Sequence, residues 1–256
     1  MFRHAILRLP GANYADGLTR VDLGVPSFEL TLAQHAAYAD ALRDAGLALT
    51  VLPADPRHPD GTFVEDTAIV LAEGAILTRP GASSRLGEAE AIEPALRAFF
   101  PTLATIEAPG TVDGGDICEA GRHVFIGISA RTNEHGARQL ARWLQTRGYG
   151  ASTVDIRGLD SILHLKSGIA CLAGERLLLI PELAAHPAFA GHERVVVDAA
   201  EAYGANAVQV NDTVLLARGH PKLAANLRAL GYRLRELDMS EFAKLDGGLS
   251  CLSLRF

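Results

Sequence analysis

The chain has 256 residues, 48% of them hydrophobic and 21% charged, which is enough for a sizeable core in one domain or two small ones. A net charge of −6, a pI near 5.8 and the lack of any basic run argue against a nucleic-acid partner and leave room for a small cationic ligand. No apolar stretch reaches the roughly 18 residues that span a bilayer, and the opening MFRHAILRLP is too short and charged for a signal peptide, so no membrane partner is expected.

In chain order the first element is the apolar run HAILRLPG, which ends in a Pro-Gly turn. A helical pattern follows at about 28–45 and stops at Gly46. The acidic segment PDGTFVED then leads into the apolar hairpin TAIVLAEGAILTRPG and a second helical pattern at 84–100. Asp113-Gly114-Gly115-Asp116 leads into ICEAGRHVFIGISAR and a third helix at 132–148, with Asn133 or Thr132 as N-cap and Gly148 as stop. His164-Leu165-Lys166-Ser167-Gly168 leads into IACLAGERLLLIPE. Gly204-Ala205-Asn206 leads into AVQVNDTVLLARGH and a helix at 220–231, closed by Gly231. Asp246-Gly247-Gly248-Leu249-Ser250-Cys251 leads into LSLRF at the end.

This layout repeats. From Asp66 to Asp113 is 47 residues, then 51 to His164, 42 to Asn206 and 45 to Cys251. A period in this range marks repeated supersecondary units. Five units around an axis give a five-bladed pseudo-symmetric α/β propeller, with HAILRLPG pairing with LSLRF so that N- and C-terminal strands close the ring. An ordinary α/β domain with several hairpins is the plainer alternative. No linker or low-complexity segment divides the chain, so a single domain over 1–256 is expected.

In the ring, the loop residues in phase are Asp66, Asp113, His164 and Cys251. Three cysteines without a CxxC pair fit a reducing cytoplasm. Cys171, inside IACLA, and Cys118 read as small buried hydrophobes. Cys251 instead follows a Gly-Gly turn and can act as a nucleophile. His164 would then serve as general acid and base, with Asp113 as third member. The carboxylates of Asp60, Glu65 and Asp66 suit a planar guanidinium; a divalent metal is the rival, but it leaves Cys251 and His164 without a role. Arg85 and Arg131, each following the second strand of a hairpin, are placed to clamp an α-carboxylate.

These residues resemble the guanidino-modifying enzymes of the pentein fold, and most closely the bacterial dimethylarginine dimethylaminohydrolases. The resemblance covers essentially the whole chain. It rests on ADGLT at 15–19, PDGTFVEDTA at 59–68, TRPGASSR at 78–85, APGTVDGGD at 108–116, GISARTNEHGA at 127–137, LHLKSG at 163–168 and DGGLSCLSLRF at 246–256. It implies Cys251 as nucleophile, His164 as proton donor and Asp113 as the paired carboxylate, a place where some relatives carry Glu. It further implies that Asp66 binds the guanidinium with Glu65 in support, that Asp60 and the Leu18 backbone take the α-amino group, and that Arg85 and Arg131 take the α-carboxylate. Leu245 and Asp246 complete the ligand-binding set. The implied reaction converts asymmetric dimethylarginine or monomethylarginine to citrulline through a covalent S-alkylthiouronium, with no cofactor and no metal. The loop bearing Gly17 and Leu18 would act as a lid. A homodimer is compatible with this reading.

Arginine deiminase and amidinotransferase share this chemistry but are usually longer. A non-catalytic propeller, such as the ribosome anti-association factors, would have no reason to keep all four groups in phase. A cysteine protease would need a peptide groove, for which the sequence offers no sign.

Overall fold

The computed structural model describes residues 1–256. In chain order its strands and helices are β1 (His4–Arg8), α1 (Phe28–Asp44), β2 (Ala48–Leu52), β3 (Ala68–Leu71), β4 (Gly74–Leu77), α2 (Glu88–Arg97), β5 (Leu103–Thr105), β6 (Ile117–Ala120), β7 (His123–Ile128), α3 (Glu134–Gln145) and β8 (Gly150–Asp155). They continue as β9 (Ile169–Leu172), β10 (Arg176–Leu179), α4 (Pro181–Ala184), β11 (Arg194–Val196), β12 (Val208–Val210), β13 (Thr213–Ala217), α5 (Pro221–Ala229), β14 (Arg233–Leu237), α6 (Ser240–Ala243) and β15 (Leu254–Arg255).

The strands form five sheets of three: β15-β1-β2, β3-β4-β5, β6-β7-β8, β9-β10-β11 and β12-β13-β14. In each, an antiparallel pair is followed by a crossover to a parallel third strand. The molecule is thus the five-bladed α/β propeller expected. The termini close it, with Ala5 opposite Arg255 and Ile6 opposite Leu254.

The first strands of the hairpins meet from blade to blade, β6 and β12 each touching β9 and β15 touching β3. The middle strands carry unbroken apolar runs such as VFIGI and TVLLA and are buried on both faces, whereas β2, β8 and β14 alternate toward solvent at the outer edge. The core joins blades, for example Ile69 and Ile76 with Val124, Leu140 and Leu144 in one layer and Leu7, Tyr38 and Leu42 with Val210 and Leu215 in another. The helices stop where left-handed glycines permit, at Gly46, Gly148 and Gly231 with φ of +93°, +76° and +88°. Asn133 caps α3 by accepting from Gly136 N at 2.8 Å.

The fourth blade departs from the repeat. Its crossover contains only the one-turn α4 and a short 3₁₀ turn at Pro187–Phe189, because Pro187 cannot continue a helix begun at Pro181. No helix of the structure is long and apolar enough to cross a membrane.

Candidate active site

Each blade's first strand is preceded by a 3₁₀ turn, at Val64–Thr67, Gly114–Asp116, Leu165–Ser167, Ala199–Ala205 and Ser250–Leu252. These five turns meet at one end of the axis. Their close approach explains the DGGD sequence. A side chain on Gly114 would collide with the Glu65 carbonyl, and one on Gly115 would come within 2.6 Å of His164 Nδ1.

At the centre, His164 Nε2 lies 3.0 Å from Asp113 Oδ2, and both side chains are buried. Asp113 Oδ1 accepts from Gly81 N at 2.7 Å, and Arg131 Nη1 stands 3.9 Å from Oδ2. Asp66 accepts from Gly115 N at 2.8 Å and from Arg85 Nη1 at 2.6 Å. Polar atoms of Asp66, Asp113 and His164 all lie within 4.8 Å of one another. Cys251 sits half-buried on the neighbouring turn, its amide donating to Gly248 O at 3.2 Å.

The charges follow from this packing. Burial works against a charged imidazole, but Asp66, Asp113 and Asp116 outweigh it and lift His164 to about 9. Burial likewise works against the Asp66 carboxylate, and the cations His164 and Arg85 overcome it and hold Asp66 down at about 2. Burial pushes the Cys251 thiol up to about 12, with the carboxylates of Glu65 and Asp66 adding to the effect. Near neutral pH the site therefore pairs a neutral thiol with an imidazolium. The thiol needs an added cation to ionise.

Nine of the eleven residues expected from sequence line one cavity: Leu18, Asp60, Asp66, Arg85, Arg131, His164, Leu245, Asp246 and Cys251. It is tight, with about 20 Å³ open to a water-sized sphere, little more than one water needs. The segment after Tyr14–Asp16 covers it and is latched down. Leu18 N donates to Asp60 Oδ1 at 3.0 Å, Arg20 N to Asp246 Oδ2 at 2.6 Å, and Thr19 Oγ1 to Lys244 O at 3.0 Å.

Two expectations are refined and one corrected. Asp113 does not touch the cavity but stands behind His164. Arg85 lines the cavity, yet most of its donors are spent on Asp66, Glu88 and Phe63 O, so Arg131 is the freer cation for an incoming carboxylate. Glu65 is not on the ligand side. Its carboxylate points through the ring, accepting from Ser250 Oγ at 2.7 Å and pairing with Lys166 Nζ at 2.6 Å and Arg255 Nη2 at 3.4 Å. It lines a larger cavity on the other side with Lys166, Cys118 and the half-buried Cys171. That cavity contains none of Cys251, His164 or Asp66.

The metal reading of the carboxylates is disfavoured by the donor set. Both Asp66 oxygens and both Asp113 oxygens already accept hydrogen bonds, and two guanidinium groups stand beside them. Sequence reasoning missed three supports. Asp116 accepts from Leu165 N at 3.0 Å and Ser129 Oγ at 2.7 Å, fixing the turn that carries His164; its place in DGGD was the available signal. Asn206 clasps Ser250, accepting from its N at 3.0 Å and donating to its Oγ at 3.1 Å. Glu88 neutralises Arg85 three residues away.

No family model matches the chain. It is 44% identical, over the full length of both chains, to N(G),N(G)-dimethylarginine dimethylaminohydrolase of Pseudomonas aeruginosa. It is 34% identical to the enzyme of the same name from Streptomyces coelicolor, over 99% of this chain and 96% of that one. A solved cysteine-to-serine mutant of the Pseudomonas enzyme, complexed with citrulline, superposes with a TM-score of 0.97 over both whole chains. The N-terminal domain of the cyanobacterial arginine dihydrolase ArgZ shares the fold at a TM-score of 0.84 and 20% identity, covering 100% of this chain and 98% of that one. The chain belongs to the dimethylarginine dimethylaminohydrolase family.

Proposed function

We infer that this chain hydrolyses Nω-methylated arginines, asymmetric dimethylarginine and monomethylarginine, to citrulline and dimethylamine or methylamine. The observation that carries the reading is a buried imidazolium held between Asp66 and Asp113 on the same small cavity as a neutral thiol and Arg131. Each Asp66 oxygen accepts only one hydrogen bond within the ring, so a second acceptor site on each remains for the N–H groups of an incoming guanidinium.

The steps follow from the groups present. Arg131 takes the substrate carboxylate, with the remaining N–H of Arg85, while Asp60 and the Leu18 backbone receive the α-amino group. The guanidinium settles against Asp66 with its central carbon toward Cys251. Its positive charge lowers the thiol's proton affinity, so with substrate bound the thiol gives its proton to solvent and the thiolate forms while His164 stays protonated. The thiolate attacks the carbon, and His164 gives its proton to the methylated nitrogen, which leaves as the neutral amine. Neutral His164 then takes a proton from water as it attacks the S-alkylthiouronium. Collapse breaks the C–S bond, the remaining hydroxyl proton returns to the Cys251 sulfur, and citrulline is freed with His164 again protonated. Asp113 fixes the imidazole through these changes.

One catalytic unit over 1–256 suffices, and the free thiols of Cys118, Cys171 and Cys251 support a reducing, cytoplasmic setting. The test is citrulline release from asymmetric dimethylarginine and from arginine, side by side, with wild type and Cys251→Ser. Turnover of the methylated substrate alone, abolished by the substitution, is expected. Turnover of arginine instead would make the chain a deiminase, and turnover of neither would remove the reading.

A further inference from the structure

The five turns touch in cyclic order: 250–252 against 64–67, then 114–116, then 165–167, then 199–205, whose following Asn206 returns to Ser250. Four of these positions carry Cys251, Asp66, Asp113 and His164. The fifth carries Asn206, whose amide is spent on Lys166 O and Ser250. The sector between the proton donor and the nucleophile therefore holds no reacting group.

A cavity fills that sector instead. It offers about 210 Å³ to a water-sized sphere, against about 20 Å³ in the reaction cavity. The two share Leu163, Asp246 and Gly247 as common wall. Val21 and Leu23 of the lid segment cover it, and Ile180, Ala202, Tyr203 and Ala243 line it. Arg20 and Glu182 are its exposed charged residues.

In the reaction inferred above, the departing nitrogen is bonded to the carbon that Cys251 attacks and takes its proton from His164. It must lie between those two side chains, and its substituent points out of the ring through the same sector. We propose that this second cavity receives the substituent of the leaving nitrogen, so that the chain also accepts Nω-alkylarginines with three- or four-carbon chains and releases the corresponding primary alkylamine. The proposal rests on the hydrolytic reading and extends its substrate class.

The volume is adequate, since an apolar cavity of about 150 Å³ holds a benzene ring. Each methylene buried there favours binding by about fourfold. The bond changes are those of the methyl substrate. A C–S bond forms, the C–N bond to the alkylated nitrogen breaks, and the His164 proton leaves with the neutral alkylamine. Water then replaces sulfur.

The experiment compares citrulline and amine release from Nω-methyl-, Nω-propyl- and Nω-butyl-L-arginine, using wild type and an Ala202→Leu/Ala243→Leu variant. Wild type should turn over the butyl substrate with kcat/KM within about tenfold of the methyl one. The filled variant should lose at least tenfold on butyl and change less than twofold on methyl, which also reports that it is folded. Wild type that cleaves methyl but not propyl or butyl would overturn the proposal whatever the variant does. Equal loss on all substrates in a variant of unchanged melting temperature would overturn it as well. Failure of wild type on the methyl substrate would overturn the reaction reading beneath it.

Discussion

Two faces of the same ring of turns have opposite characters. Glu65 and Asp66 are consecutive, as are Ser250 and Cys251, and Lys166 lies two residues beyond His164. On one face, Glu65, Lys166, Arg255 and Ser250 close a set in which each charge meets its partner. On the other, Asp66, Asp113 and His164 crowd together beside an un-ionised thiol and a guanidinium with donors to spare. A buried charge whose partners complete it holds the fold together. Where the partners leave capacity for one more cation, the same turn can hold and react with a ligand.

Exchanging members of each neighbouring pair breaks this contrast in measurable ways. Cys251→Ser should cut citrulline formation by at least ~10⁴-fold, since nothing else on the face can form the covalent intermediate. Its melting temperature should barely move. A residual rate within tenfold of wild type would shift the nucleophile elsewhere.

His164→Gln comes next, with kcat falling about 10³-fold through loss of the proton donor. In the wild type the same group sets the alkaline limb. Folding raises the proton affinity of His164, so its charged form persists up to about 9, and a bound guanidinium opposes that charge. The kcat profile should fall as pH rises through about 9 or somewhat below, and a profile still rising beyond pH 10 would refute this role. The linked stability runs the same way: it is complete below about 6.5, the pKa of an unfolded histidine, and drains as pH rises through about 9.

Lys166→Met probes the opposite face. It removes the closest partner of a buried carboxylate that keeps Arg255 and Ser250, so the cost is that of one hydrogen bond to a charged group, about 1.5–3 kcal/mol of stability. Denaturant unfolding should show that loss, with kcat changed less than about tenfold in folded protein. A Lys166 variant that is fully stable but inactive would make both faces catalytic.

The contrast also shows what the sequence could express. The repeat period placed Asp66, Asp113, His164 and Cys251 together, because each lies at the same point before an apolar hairpin, and hairpin signals are local. The four longer helices were legible for the same reason, through apolar spacing and, in three of them, a glycine stop. Glu65 was not, because successive side chains in a 3₁₀ turn diverge by about 120° and adjacency does not say which of them meets the ligand. Arg85 was read as free because its pairing with Glu88 depends on how α2 enters the blade. Asn206 was visible as the fifth repeat residue, but its grip on Ser250 exists only once the ring is closed.

The smallest effect should come from the lid, where the reacting face meets solvent. Asp246 accepts from Arg20 N at 2.6 Å while its own backbone sits at φ of +55°. Asn tolerates the left-handed region as Asp does, so Asp246→Asn removes the charge without straining the loop. The hydrogen bond is exposed and the Asn Oδ1 can still accept it, so loss of the charge that strengthens it should weaken lid closure by about 1 kcal/mol. Closure strengthens ground and transition states alike, so the change should appear as a roughly fivefold rise in KM with kcat unaltered. Equal falls in kcat and kcat/KM would instead place Asp246 among the groups that act on the transition state, and the contrast would then lie between lid and ring, not between the ring's two faces.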